Sequence, residues 1–142
     1  MLIRGDAFLQ IGGFDGEFRM YFEETDLFRR LRRAGYSVAL CPHATAAHWH
    51  GASTLGTSVR EVDYYLSYVR YFRKHHGLGA ATTLATAVGL YTLGRVAALT
   101  LKYLPVTRAR ARLLGAKLVA CGRLLGQLHH AVGQSDSAKA RS

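Results

Sequence analysis

Cysteine and acidic residues are scarce in this sequence of 142 residues. Its two cysteines, Cys41 and Cys121, lie far apart and lack metal-type spacing. This excludes a disulfide framework and favours a reducing compartment. No apolar run follows Met1 closely, so no signal peptide is expected. Hydrophobic residues make up 49% of the chain, which predicts a packed core rather than disorder.

The shortage of acidic residues is confined to one part of the chain. Nine acidic residues face nineteen lysines and arginines, for a net charge of +10. Residues 1–58 hold six arginines and six acids, whereas residues 59–142 hold thirteen basic residues and three acids. The split predicts two roles. The second part is expected to face a negatively charged partner, either anionic lipid or nucleic acid.

Residues 1–58 predict an α/β segment of short strands and helices. Strands are expected at residues 2–3, 36–41 and 44–50 from their alternating or apolar pattern. Helices are expected at residues 6–11 and 23–34. The second has acids in its first turn and arginines near its end, as the helix dipole favours, and Gly35 stands at its C′ position.

From residue 59 onward the pattern is helical. An apolar stripe at three- and four-residue spacing predicts a helix that Gly77 and Gly79 end. An apolar stretch over residues 80–104 precedes Pro105, and a third helix is expected at residues 108–130. The chain is thus expected to comprise an α/β lobe at 1–58, a basic helical extension at 59–133 and a flexible tail at 134–142.

An ordered set of short motifs carries the functional prediction. They are Gly12-Gly13-Phe14-Asp15, Tyr21-Phe22-Glu23-Glu24-Thr25-Asp26-Leu27 followed by Arg30, Ala34-Gly35-Tyr36, and His48 before Gly51 and Ser53. This order resembles the C-terminal, acceptor-side half of family 2 glycosyltransferases of the rhamnosyltransferase or galactosyltransferase kind. The resemblance covers residues 1–76 and implies a partial lobe of the GT-A fold.

The resemblance implies that Glu24 is the general base. It would take a proton from an acceptor hydroxyl as that oxygen attacks the sugar, and the resemblance implies that the transfer inverts the anomeric centre. Glu24 and Asp26 lie two residues apart, so on a helix they point about 200° apart and do not form a metal clamp. Glu24 stands where the family usually has Asp, and Gly16 and Arg19 also depart from its pattern. The alternative for Glu24 is an acid favoured by the helix dipole.

Other site residues follow from the same resemblance. His48 is expected to help hold a divalent metal, Mg²⁺ or Mn²⁺, on the donor diphosphate, and a structural histidine is the alternative. Asp15, Glu23 and Trp49 are expected to bind the acceptor, although Asp15 also suits a turn and Trp49 suits packing. A structural part is expected of the remaining motif residues, with Phe14 in the core: Gly12, Gly13, Phe14, Asp26, Arg30, Gly51 and Ser53.

The nucleotide-binding half of such an enzyme has no counterpart in this sequence. The intact enzyme is expected to use a nucleotide-sugar donor and a glycan or lipid-linked acceptor, with the missing half in cis. This chain alone is expected to be inactive.

The basic apolar region predicts a place at the membrane. Residues 80–101 approach the length of a membrane span, but Arg95 lies well inside them. We therefore expect peripheral or partly inserted helices on the cytoplasmic face, against anionic lipid. The alternatives are a spanning helix, soluble packing, or a non-catalytic remnant that binds membranes. A nucleic-acid-binding module is less favoured because no such motif is present, and a glycoside hydrolase because the acids do not face each other.

Overall fold

The computed structural model describes residues 1–47, 57–102 and 108–133. Five helices follow in order: α1 (Gly5–Gln10), α2 (Glu23–Arg33), α3 (Thr57–His76), α4 (Leu78–Lys102) and α5 (Arg108–Gly133). All five lie close to the positions that their sequence patterns predict.

The prediction of an α/β fold with short strands is wrong, because the described residues contain no strand. Residues 36–41 are irregular, and their apolar side chains Val38 and Leu40 are exposed. A strand is stabilised by hydrogen bonds to a neighbouring strand, and no described segment supplies one. Of the predicted strand at 44–50, residues 48–50 lie outside the described part.

Helix α2 is built as its sequence predicts. Glu23, Glu24 and Asp26 lie in its first turn, and three arginines lie in its last turn. After Ala34, Gly35 adopts a φ of +88°, and the Tyr36 amide donates to the Leu31 carbonyl. This is a Schellman ending, so the prediction of Gly35 as the residue that stops the helix is confirmed.

The described residues form two apolar clusters. In the N-terminal region, residues 1–36, Leu27 and Leu31 of α2 pack on Ala7 of α1. In the C-terminal bundle, α3, α4 and α5 pack on one another around seven buried residues: Leu66, Val69, Ala81, Val88, Leu124, Leu128 and Ala131. Helix α3 also lies against α2, so it belongs to the contacts of both regions.

Helix α4 includes one stretch, Leu78–Leu101, that is long and apolar enough to cross a membrane by length and composition. Only 11% of its most apolar window is buried within the chain. Leu90 and Leu101 are 65% and 75% exposed. Arg95, the only charged residue between Leu78 and Leu101, is ion-paired with Glu61 of α3 at 2.9 Å. Between Leu78 and Leu101, α4 therefore carries no other charged side chain than this paired Arg95.

Candidate functional site

Asp26 is the centre of a buried charged network between the two regions. Its side chain is 0% exposed. Oδ2 accepts from Arg30 Nε at 2.7 Å, and Oδ1 lies 2.7 Å from both Lys74 Nζ and His75 Nε2. An i, i+4 ion pair on an exposed helix face is weak, but this pair is mostly buried, with Asp26 0% and Arg30 18% exposed. It therefore contributes more to the position of α2 than an exposed i, i+4 pair would.

Arg30 joins α2 to the glycine turn that follows α1. Its Nη1 donates to the Ile11 carbonyl at 2.7 Å, and Nη2 donates to the Gly13 carbonyl at 2.6 Å. Gly12 and Gly13 have φ values of +77° and +68°, which side chains with a Cβ resist. The turn thus directs two carbonyl oxygens at one guanidinium group, so the two glycines and Arg30 depend on one another structurally.

Asp15 makes the turn contact that its sequence position suits and also joins the network. Oδ1 accepts from the Glu17 amide at 2.9 Å, and Oδ2 lies 2.6 Å from Lys74 Nζ. Lys74 therefore bridges Asp15 and Asp26. Two carboxylates and two cations meet here, so their formal charges cancel, which is the condition under which buried charges are tolerated.

Lys74 and His75 are the network residues that the sequence pattern did not reveal. They lie in the last turn of α3, where basic residues also suit the helix dipole, so composition gave no separate signal. The His75 side chain is 1% exposed. Arg33 Nη1 can only donate, so His75 Nδ1 is its acceptor at 3.3 Å. His75 Nε2 therefore carries the proton and donates to Asp26.

Burial and hydrogen bonding shift the pKa in opposite directions, both for Asp26 and for His75. Burial by itself raises the pKa of Asp26, but hydrogen bonds from Lys74, His75 and Arg30 hold that pKa below its ordinary value. Burial lowers the pKa of His75, and the neighbouring Asp26 only partly offsets it. The favoured state is an ionised Asp26 beside a neutral His75.

A strained aromatic loop leads into the two glutamates. Tyr21 and Phe22 have φ values of 65° and 66°, a region that residues with large side chains rarely adopt. Phe22 stacks on Tyr68 of α3 at 5.0 Å and 11°, and Tyr21 meets Tyr64 edge-on at 5.7 Å. Ser67 Oγ donates to the Met20 carbonyl at 2.7 Å. These contacts to α3 hold the loop in its strained shape.

Glu23 and Glu24 follow that loop directly. Glu24 is exposed, whereas Asp26 is fully buried, so the two acids face different surroundings. Glu23 is half-buried, and its Oε2 is buried without a hydrogen-bond partner among the described residues. A carboxylate oxygen in that state is available to a donor from a ligand.

The remaining predicted residues divide into two groups. Phe14 is 47% exposed and meets Phe8 edge-on, so the prediction of Phe14 in the core is wrong. The close packing of Phe8 over Gly13 leaves Phe14 outside the cluster. His48, Trp49, Gly51 and Ser53 lie outside the described residues, so the roles predicted for them stay predictions.

The described residues include no group of three or more His, Cys, Asp or Glu side chains arranged to hold a metal ion. Asp15 and Asp26, the closest pair of acids in the network, already share Lys74 Nζ. They are therefore not a metal site. The predicted Mg²⁺ or Mn²⁺ would need other ligands.

Two clefts of about 360 Å³ adjoin α3. The first lies at the start of α3 beside the aromatic loop and is lined by Tyr21, Arg60, Glu61, Tyr64 and Tyr65. The second lies between α3 and α5, with a largely apolar floor that includes Val62 and Val119 and with Arg19 and Arg123 in its wall. Both volumes fall within the range of small-molecule sites, roughly 300–1,000 Å³.

Comparison with known proteins supports a relationship to glycosyltransferases. The chain is 43% identical over 54 residues to N-acetylglucosaminyl-diphospho-decaprenol L-rhamnosyltransferase of Mycobacterium tuberculosis, in the strains CDC 1551 / Oshkosh and ATCC 25618 / H37Rv. The match covers 38% of this chain and 18% of the relative.

A second relative is the O-antigen biosynthesis protein RfbC of Myxococcus xanthus, 31% identical over 71 residues. That match covers 50% of this chain and 6% of RfbC. The chain thus spans less than a fifth of the curated relatives it matches. No family model and no solved structure matches it.

Proposed function

We propose that this chain is the acceptor-side part of a glycosyltransferase that moves a sugar from a nucleotide-sugar to a hydroxyl group, with Glu24 as general base. The observation that carries the proposal is the pairing of an exposed Glu24 with a buried Asp26 on one rigidly held helix start. The kinship with a rhamnosyltransferase and an O-antigen biosynthesis protein supports the same class of reaction.

In this mechanism the network positions the base and does not itself react. Arg30, Lys74 and His75 hold Asp26, and Asp26 holds the first turn of α2. The strained loop fixes the entry to that turn from the other side. Glu24 would then accept the hydroxyl proton as the acceptor oxygen bonds to the anomeric carbon and the nucleotide diphosphate departs. One displacement of this kind inverts the anomeric centre.

The partners follow from the same assignment. The donor would be bound by a nucleotide-binding half outside these 142 residues, and the acceptor by Asp15, Glu23 and Trp49 as the sequence predicts. The rhamnosyltransferase is named for an acceptor in which N-acetylglucosamine is joined through a diphosphate to decaprenol. We propose a lipid-linked glycan of that chemical class here. A divalent metal, with His48 among its ligands, would neutralise the departing diphosphate.

The test is a sugar-transfer assay with the chain alone and with the chain joined in frame to the preceding part of the mycobacterial relative. Nucleotide-linked L-rhamnose and an N-acetylglucosaminyl diphospholipid are the substrates. We expect transfer only by the joined protein. Glu24→Gln should reduce kcat by about a hundredfold or more, as loss of a general base does.

Two matched variants separate the base from its neighbours. Glu24→Asp restores the family's usual residue and should retain much of the activity, whereas Glu17→Gln, on the preceding turn, should change little. A joined protein whose kcat is unaffected by Glu24→Gln would exclude Glu24 as the base.

We also propose that the C-terminal bundle attaches to the cytoplasmic face of a membrane, peripherally or partly inserted. The support is the apolar surface of α4, where Leu90, Leu93 and Leu101 are exposed, on the half of the chain that carries the whole net positive charge. Flotation with vesicles of neutral or anionic lipid tests it.

We expect the chain to float with anionic vesicles at low salt, and Leu90→Glu together with Leu93→Glu to abolish flotation. Flotation without sugar transfer by the joined protein would favour the non-catalytic membrane-binding alternative. Retention on DNA without flotation would favour the nucleic-acid alternative.

A further inference from the structure

The cleft beside the aromatic loop is not part of the site described from the sequence motifs. Its five lining residues are Tyr21, Arg60, Glu61, Tyr64 and Tyr65. Only Tyr21 belongs to a motif, and none of the five has a role in the proposed proton transfer. The cleft is shallow and open to solvent, and the mechanism leaves its side chains unused.

The chemistry of the lining suits a carbohydrate. All five side chains carry a polar group, three of them on an aromatic ring, and none is aliphatic. Sugar rings present an apolar C–H face that aromatic rings cover, and hydroxyl groups around the rim that need donors and acceptors. The phenols, the Arg60 guanidinium and the Glu61 carboxylate supply both kinds of contact.

The aromatic wall is preorganised. Tyr21 is held at a φ of 65° by its edge contact with Tyr64, and Tyr64 also meets Tyr65 edge-on at 5.5 Å. The next residue, Phe22, is fixed by its stack on Tyr68. Strain retained at two successive aromatic residues is typical of a binding site, since only the surrounding contacts maintain it.

The polar wall is also prepared for a ligand. Glu61 Oε1 is fixed by Arg95 Nη1 at 2.9 Å, which orients the carboxylate. Arg60 Nε is buried and has no hydrogen-bond partner among the described residues. A buried donor without a partner is costly, and a ligand oxygen in the cleft would remove that cost.

We propose that this cleft binds a sugar ring of the acceptor. The inference rests on the proposed function, since it names a subsite of the same reaction. Tyr21 stands three residues before Glu24, so a ring held on Tyr21 and Tyr64 lies at the loop that leads to the base. Tyr21, Tyr64, Tyr65 and Arg60 would be specificity-determining residues for the acceptor glycan.

Saturation-transfer NMR on the full 142-residue chain tests the proposal without any need for catalysis. N-acetylglucosamine is the probe for an acceptor sugar, and L-rhamnose is the probe for a donor sugar. We expect saturation transfer to N-acetylglucosamine. Tyr64→Ala should weaken binding roughly threefold to tenfold, the usual effect of one aromatic contact.

Matched variants control for folding. Arg60→Gln should weaken binding, whereas Arg32→Gln, on an exposed position of α2, should not. Tyr64→Phe and Tyr36→Phe each remove one phenolic hydroxyl group, and of these two residues only Tyr64 lines the cleft. Circular dichroism at 222 nm should show equal helix content in all of these proteins.

Three outcomes would overturn the subsite. They are no transfer to N-acetylglucosamine, binding that is equal in wild type, Tyr64→Ala and Arg60→Gln, and binding of L-rhamnose alone. Failure of the proposed function is a separate result, because it appears as sugar transfer that survives Glu24→Gln and not as a change in binding by this chain.

Discussion

The N-terminal region and the C-terminal bundle are stabilised by different kinds of contact. The N-terminal region has a small apolar cluster and buries a charged network around Asp26. The C-terminal bundle has the larger apolar core, and its Arg95–Glu61 ion pair, away from that network, is partly exposed. A buried network fixes the geometry of its members but tolerates no loss, whereas an apolar core tolerates small changes. The predicted base lies in the first kind of region, where position matters most.

The largest effect is expected when the network loses its central acid. Asp26→Ala leaves Arg30, Lys74 and His75 without their shared partner, so we expect a loss of about 3–5 kcal/mol in the free energy of unfolding. Urea denaturation followed by circular dichroism measures it. The matched control is Glu61→Ala, which removes an exposed pair and should cost less than about 1 kcal/mol. Equal costs for the two variants would show that the network is not buried in solution.

A core truncation in the bundle should cost somewhat less. Leu128→Ala removes a side chain that is buried between α4 and α5, and we expect a loss of about 2–4 kcal/mol. Val119→Ala on the exposed face of α5 is the control and should change the stability little. A larger loss of stability for Leu128→Ala than for Asp26→Ala would contradict the expectation that the charged network is the more sensitive of the two.

A third experiment replaces two glycines that differ in backbone conformation. Gly13 has a φ of +68°, and an added Cβ would lie 3.2 Å from the Phe8 ring, so Gly13→Ala should cost about 1–2 kcal/mol. Gly94 lies inside α4 with open space around it, so Gly94→Ala should stabilise the chain by up to about 1 kcal/mol. Thermal unfolding of both variants should therefore shift in opposite directions. Shifts of the same sign would contradict the strained turn.

The smallest expected effect is the pH dependence of the network that joins the N-terminal region to α3. The folded pKa of His75 is below its ordinary value of 6.5, so the folded state binds fewer protons and stability falls as pH drops below that value. The folded pKa of Asp26 is also lowered, and its contribution is full above 3.8 and is lost as pH falls through the folded pKa. Urea midpoints from pH 8 to pH 3 should decline in these two steps.

His75→Gln tests the assignment of the upper step. Gln keeps a donor towards Asp26 but does not titrate, so the decline just below pH 6.5 should disappear while the acid step persists. An unchanged profile would assign the upper step to another histidine.

The sequence predicted local structure better than it predicted how segments meet. The apolar period of α3 and the charge pattern of α2 identified their helices, because both signals depend only on neighbours along the chain. The same logic failed for residues 36–41, whose alternating pattern predicts a strand but cannot supply the partner that a strand needs.

For the site too, a contact within one helix was easier to predict from the sequence than contacts between distant segments. The motif residues Asp26 and Arg30 pair within one helix at i, i+4 spacing, a contact that helix geometry favours without any distant segment. Lys74 and His75 come from a helix more than forty residues later, and no local pattern links them to Asp26. Phe14 was misplaced because an aromatic residue predicts burial in general but not which of two neighbouring phenylalanines occupies the cluster. His48 and Trp49 remain predictions.

Asp26 is contacted from both α2 and α3, and this limits how the protein can be shortened. A polypeptide that stops after Gly35 would retain the acid and Arg30 but lose Lys74 and His75. A polypeptide that starts at Thr57 would carry those two side chains with nothing to neutralise or accept from them. Neither piece is expected to reproduce its conformation in the whole chain, so any shortened version intended for crystallisation or domain exchange should keep α2 and α3 together.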